Sequence, residues 1–274
     1  MMAVRPERVP AGEVRRRMLD AGRELASEAG AALTIEHLRL EEIIQRARVP
    51  RSSAYRMWPY KEDYIDDLMC YLAGVGNWFN ERPVFDPETF TVLKRVVEDN
   101  ADLLATAEGR RALLREIVRL SIARNYSALT ESSTWRLHMA LSATLGSTRS
   151  GEARQKIAAA LEEAQLQSRE SLVAMFGFVA EAIGLRLRDP ALTAEHMQLA
   201  GGLLVQSMAL RNVQVQAADG DGEAARVDAL LNAPLPGPGL HGQPAEWSLA
   251  AFAYLGVVDA FIELDPDFIP PQAP

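Results

Sequence analysis

The chain of 274 residues holds a single cysteine, Cys70, so no disulfide can form within it. That fits a reducing compartment, and a cytoplasmic location is expected. Cys70 reads as a small apolar residue on the inner face of a helix, with a redox sensor as the alternative. Histidine is also scarce. His37, His138, His196 and His241 are scattered, with no His-Glu-x-x-His or Glu-x-x-His pairing to hold a metal. No glycine loop of phosphate-cradling form is present. Gly146-Ser147-Thr148-Arg149-Ser150-Gly151 lacks the spacing of a nucleophile elbow. The pair Glu162-Glu163 reads as a solvated helix face. These absences leave an enzyme as the weakest reading, and no cofactor or metal is expected. No apolar run approaches the ~20 residues that span a bilayer; the most apolar stretch, Leu249 to Leu264, is broken by Asp259. The arginine-rich N-terminus has no apolar core of signal-peptide length, so no membrane partner is expected.

Charge is present but unevenly spread. The net charge is −8, which argues against a protein that coats nucleic acid all over. Residues 1–62 hold 12 Lys+Arg against 9 Asp+Glu, whereas the other 212 hold 17 against 28. A basic head on an acidic body suits a local DNA-binding module joined to something that does not bind DNA. With 48% apolar residues, a sizeable core can be buried.

The periodicity is helical throughout. Residues 1–12 read as a flexible basic arm. A first helix is expected over about 13–29, with Val14, Met18, Leu25 and Ala29 on one face and Gly30 ending it. A second helix falls within 34–46, with Thr34 as a plausible N-cap and Leu40, Ile43, Ile44 and Ala47 as its stripe. Further helices are expected at about 88–106, 109–128, 132–146, 151–187, 191–216 and 246–264. Their breaks lie at Pro83 and Pro87, Gly109, Gly146, Asp189-Pro190 and the run Pro234 to Pro244. That proline- and glycine-rich run reads as an exposed loop, and no strand-like alternation between hairpin turns is visible.

The most informative stretch is Val49-Pro50-Arg51-Ser52-Ser53-Ala54-Tyr55-Arg56-Met57-Trp58-Pro59-Tyr60-Lys61. It is one short helix long, basic, and without an acidic residue. Pro59 ends it, because a residue before proline avoids the α region. It follows a short apolar helix and a tight connection at Arg48-Val49, the layout of a helix-turn-helix. Val49, Ala54 and Trp58 suit the packing side. Arg51, Ser52, Ser53 and Arg56 suit a major groove, where arginine pairs with guanine O6 and N7. Tyr55 and Lys61 suit phosphates, and Lys61 opens the next helix, whose free N–H groups also favour an anion.

The segment from the first helix to about Met69 resembles the DNA-binding domain of the TetR family of repressors. That family has an Ala-Gly-Val-Ser turn, a recognition helix ending Tyr-x-x-Phe, and Lys-Glu at the next helix start. Ala47-Arg48-Val49-Pro50, Tyr55-Arg56-Met57-Trp58 and Lys61-Glu62 stand at those places. Arg48 replaces the turn glycine, which makes a left-handed residue strained there unless the turn is rebuilt, or else lets Arg48 reach DNA. Pro50 replaces the capping serine. The stretch from Gly30 to Glu42 is longer than the family pattern.

The resemblance implies an all-α protein. A three-helix helix-turn-helix domain at 13–62 would precede a larger helical ligand-binding and dimerisation domain at 63–274. DNA contacts would fall to Thr34, Arg48, Arg51, Ser52, Ser53, Tyr55, Arg56 and Lys61. It also implies a small-molecule effector and a homodimer. Trp78, Phe79, Trp135, His138, Met139, Met175, Phe176 and Phe178 could line a cavity, with core packing as the alternative. Leu199, Leu203 and Met208, with Phe252, Leu255, Val258 and Phe261, could form half of an intermolecular four-helix bundle. The function expected is transcriptional regulation by repression, with a ligand-binding or adaptor protein as the competing reading.

Overall fold

In the computed structural model, residues 10–28, 38–75, 87–146, 151–217 and 222–270 are described, and they are predominantly helical. Packing divides the chain into two compact units: residues 1–78 with 133–164, and residues 79–132 with 165–274. The arm at residues 1–9 and Thr34 lie outside the described residues.

The first unit begins with α1 (Ala11–Glu28), α2 (Leu40–Ala47), α3 (Arg51–Met57) and α4 (Lys61–Val75). It adds α7 (Ser133–Thr144) and the start of α8 (Gly151–Ile183). Helix α1 starts at Ala11, two residues before the expected position, so Gly12 is helical rather than part of an arm. Glu13 in its first turn accepts from Arg16 and Arg17 (2.9 and 2.7 Å), which complements the positive end of the helix. Val14, Met18, Leu19 and Leu25 turn inward. They meet Ile43 and Ile44 of α2, Tyr64, Leu68 and Leu72 of α4, Leu141 of α7 and Ile157 of α8 in one apolar core. At Gly22 the backbone of α1 comes close to α4: a Cβ there would overlap the Tyr64 hydroxyl and crowd Leu68. Cys70 is half-buried, with its thiol facing the Ala153 carbonyl (3.9 Å), and burial pushes that thiol up.

The connection from α2 to α3 is built from backbone. Arg48 lies in the left-handed region at φ 51°, ψ 44°. Its N–H donates to Gln45 O (3.2 Å), and the Val49 N–H donates to Ile44 O (3.4 Å). Val49 and Ile44 are both buried, which completes the hydrogen-bond and apolar pattern of a Schellman turn. Glycine is the usual residue at that position, so arginine carries strain. Pro50 follows in extended conformation and caps α3 with its carbonyl, which accepts from Ser53 N (2.9 Å) and Ala54 N (3.2 Å). Helix α2 starts only at Leu40, and Arg39 holds its N-cap position without a side-chain bond.

The second unit contains α5 (Pro87–Asp99), a 3-10 turn (Ala101–Ala105), α6 (Ala107–Glu131), the end of α8, α9 (Ala194–Ala217), α10 (Glu223–Asn232) and α11 (Leu249–Phe261). Thr106 caps α6 by accepting from Gly109 N (3.0 Å). Helix α10 was not anticipated. The expectation of no strands also needs correction, since two short antiparallel pairs are present. One joins β1 (Leu185–Leu187) to β4 (Ile262–Leu264), with Leu185 opposite Leu264. The other joins β2 (Leu235–Pro238) to β3 (Pro244–Trp247). The proline run is therefore a hairpin rather than a loop. Its prolines sit in a two-stranded ribbon whose outer edges need no N–H donors, and buried Trp247 holds it by donating Nε1–H to Pro238 O (3.2 Å). Buried Arg110 gathers the C-terminal segment. Its Nη1 donates to Gly184 O (3.3 Å) and Asp265 O (3.0 Å), and its guanidinium lies 5.0 Å from the Phe268 ring centre.

Two stability changes follow. Arg48→Gly relieves the left-handed arginine and is expected to stabilise the protein by about 1 kcal/mol, read as a higher urea midpoint at unchanged slope. Gly22→Ala forces α1 and α4 apart and is expected to cost about 1–3 kcal/mol in the same measurement.

Candidate nucleic-acid interface

Helix α3 has two unlike sides. Ala54 is fully enclosed, and Val49 just before the helix and Trp58 just after it are buried. Trp58 is 4% exposed. Its indole Nε1–H donates to Asp67 Oδ2 (3.2 Å), and its ring meets Tyr64 edge-to-face at 5.2 Å. Asp67 is also bound by the Arg15 guanidinium of α1, and Tyr64 donates its hydroxyl to Met18 O (2.8 Å). Burial pushes the Tyr64 phenol well up, so it remains a neutral donor. Two helices, α1 and α4, thus grip the C-terminal end of α3.

The other side faces out. Arg51, Ser52 and Arg56 are exposed and Ser53 is partly so. Arg56 Nη2 lies 3.4 Å from Ser53 Oγ, a long contact that is easily exchanged. Arg48 is exposed in the turn, and half-buried Lys61 begins α4. The structure therefore brings Arg48, Arg51, Ser52, Ser53, Tyr55, Arg56 and Lys61 onto one short stretch of described chain, while the packing residues named from sequence all turn inward.

Tyr55 differs from the sequence reading in one respect. It is 40% exposed, yet its hydroxyl already donates to Glu41 Oε1 of α2 (2.7 Å). That bond, then a backbone bond and the charges of Arg51 and Lys61, hold the Glu41 carboxyl below the usual carboxylate range. The same bond pushes the Tyr55 phenol up. Sequence reasoning missed Glu41, because nothing in a spacing of 14 residues marks two side chains as neighbours.

No family model, curated protein or solved structure matches this chain. What the surface does is therefore argued from its own chemistry.

The residues named for a ligand cavity are not brought together within one unit. Trp135 and His138 are buried and Met139 is half-buried in the first unit, whereas buried Met175 and half-buried Phe176 belong to the second. Trp78 and Phe79 lie outside the described residues. Phe178 stacks at a tilt on Phe90, with ring centres 4.6 Å apart. Of the positions named for a dimer seam, Leu199 and Leu203 on α9 are 65% and 56% exposed, and Phe252 on α11 is 49% exposed. Met208, Leu255 and Phe261 are half-buried, and Val258 is buried. Among the described residues no helix is long and apolar enough to cross a membrane, and no group of three or more His, Cys, Asp or Glu is placed to hold a metal ion.

Burial holds the His138 imidazole below its ordinary value, so the folded protein keeps it neutral while the unfolded chain protonates near pH 6.5. The unfolded state then binds the extra proton, and stability falls as pH drops below about 6.5. The loss should approach at most about 1.4 kcal/mol per pH unit for this one group. Urea unfolding at pH 7.5 and 5.5 is expected to show a smaller pH difference in His138→Gln than in the parent protein.

Proposed function

We propose that this chain is a DNA-binding transcriptional regulator, in which α2 and α3 form a helix-turn-helix of the TetR type and α3 enters the major groove. The observation that carries the reading is the two-sidedness of α3. Ala54 and Trp58 anchor it inward while Arg51, Ser52 and Arg56 stand outward, and the connection before it is a closed Schellman turn. Arginines held near the two ends of a short rod offer paired donors to guanine, and the exposed serines offer single donors to bases or phosphates.

A seven-residue helix touches few base pairs, so a homodimer on two half-sites is the economical arrangement. The exposed leucines of α9 and Phe252 of α11 supply apolar surface for that pairing. A small molecule bound in the helical body would act by favouring one spacing of the two reading heads, changing operator affinity by its differential affinity for the two states. Repression in the cytoplasm is the simplest outcome of such an arrangement.

The test is a titration of the purified protein into labelled DNA from upstream of its own gene, and into random duplex, at several salt concentrations. Binding that prefers the upstream DNA and weakens with salt supports the reading; equal, negligible affinity for both removes it. Lys61→Ala is expected to weaken both DNAs to a similar degree and to lower the salt slope by about one. Arg51→Ala should instead cost about 1–3 kcal/mol on the preferred DNA only and relax one base position.

A further inference from the structure

A carboxylate stands in the middle of the surface just assigned to DNA. Glu41 is exposed in the first turn of α2, and its Oε1 accepts the Tyr55 hydroxyl at 2.7 Å. Arg51 and Lys61 lie close enough for their charges to act on it. Carboxylate and phosphate oxygens are the same kind of acceptor, anionic and strongly basic in hydrogen bonds. A tyrosine hydroxyl has one proton to donate, so it serves one such oxygen at a time. The Tyr55–Glu41 bond spans two helices and closes without DNA.

We propose that Glu41 is a specificity-determining residue, an internal stand-in for a DNA phosphate that holds the Tyr55 hydroxyl and opposes indiscriminate binding to duplex. This rests on the DNA-binding reading above. A backbone phosphate approaching Tyr55 has to displace a like-charged group and meets its field within a Debye length, about 10 Å at 0.1 M salt. That penalty is nearly the same on every sequence. Base contacts by α3 offset it only where the sequence matches, so the ratio of specific to random affinity rises although neither affinity is maximal. The acidic residue thus acts as a repulsive element set inside an attractive surface.

Glu41→Gln tests this, because glutamine keeps the size and the acceptor oxygen but removes the charge. The probe is a labelled random-sequence duplex of about 30 base pairs, followed by fluorescence anisotropy from low to high salt. The variant is expected to bind about three- to tenfold more tightly at 0.1 M salt, with a salt slope steeper by up to about one. Tyr55→Phe is expected to change random-duplex affinity less than about twofold in the parent and about threefold or more in the Glu41→Gln background. Such non-additivity marks a shared partner. Unchanged affinity and slope in Glu41→Gln, with the parent still binding duplex, overturns the inference alone. Equal effects of Tyr55→Phe in both backgrounds overturn it as well. If parent and variant both ignore duplex at the lowest salt, the DNA-binding reading fails and takes this inference with it. Thermal unfolding of each variant confirms that an exposed side chain was exchanged without loss of the fold.

Discussion

The orientation of α3 depends on one buried side chain. Trp58 sits at the end of a helix only seven residues long, too short to be stable by its own hydrogen bonds. Truncating a buried tryptophan costs about 3–5 kcal/mol, comparable to much of a domain's net stability. Here the indole is fixed in direction as well as depth. Its N–H meets Asp67, its ring meets the Tyr64 edge, and those two residues are in turn held by Arg15 and the Met18 carbonyl of α1. Pro59 follows and lets the chain leave the helix without an unsatisfied N–H. The outward face of α3 is therefore a consequence of its inward end.

Electrostatics on that face is a contest rather than a uniform positive patch. Arg51 and Arg56 are exposed, where single ion pairs are worth little, and Glu41, with Tyr55 bound to it, lies within reach of the Arg51 and Lys61 charges. A polyanion changes the balance, because many weak contacts act together and released counterions make the sum strongly salt-dependent. One misplaced negative charge then matters in proportion to how many phosphates it meets. On this reasoning the overall acidity of the chain and the local basic stretch are compatible.

Helical periodicity made most of the architecture legible. The stripe Val14, Met18 and Leu25 and the stripe Leu40, Ile43, Ile44 and Ala47 are buried as their spacing requires. So are Ala54 and Trp58, because a 3.6-residue period fixes which side chains share a face. The left-handed turn was legible as a problem at Arg48, and the backbone adopts that conformation with arginine in place. What escaped was non-local or short. The strands β1 and β4 are three residues each and lie far apart in sequence, so no window contains their pattern. The proline-rich hairpin is held by Trp247 over Gly237, a contact that prolines alone do not announce. The Glu41–Tyr55 bond has no sequence signature.

If operator affinity is to respond to events elsewhere in the chain, α4 is the element able to carry the response within the first unit. Lys61 begins it beside the surface proposed to read DNA. Tyr64 and Asp67, one and two turns on, are the residues that hold Trp58. Leu68 and Leu72 farther along belong to the same core as Leu141 of α7 and Ile157 of α8. Packed interiors do not deform smoothly, so α4 cannot shift against α7 and α8 while leaving the Trp58 socket as it was. Displacement of Asp67 would break the indole bond and the Arg15 pair together, loosening the end of α3 from which its direction is set. A coupling of this kind requires no contact between effector and DNA-binding residues; it requires two arrangements of α4, one of which seats Trp58 and one of which does not.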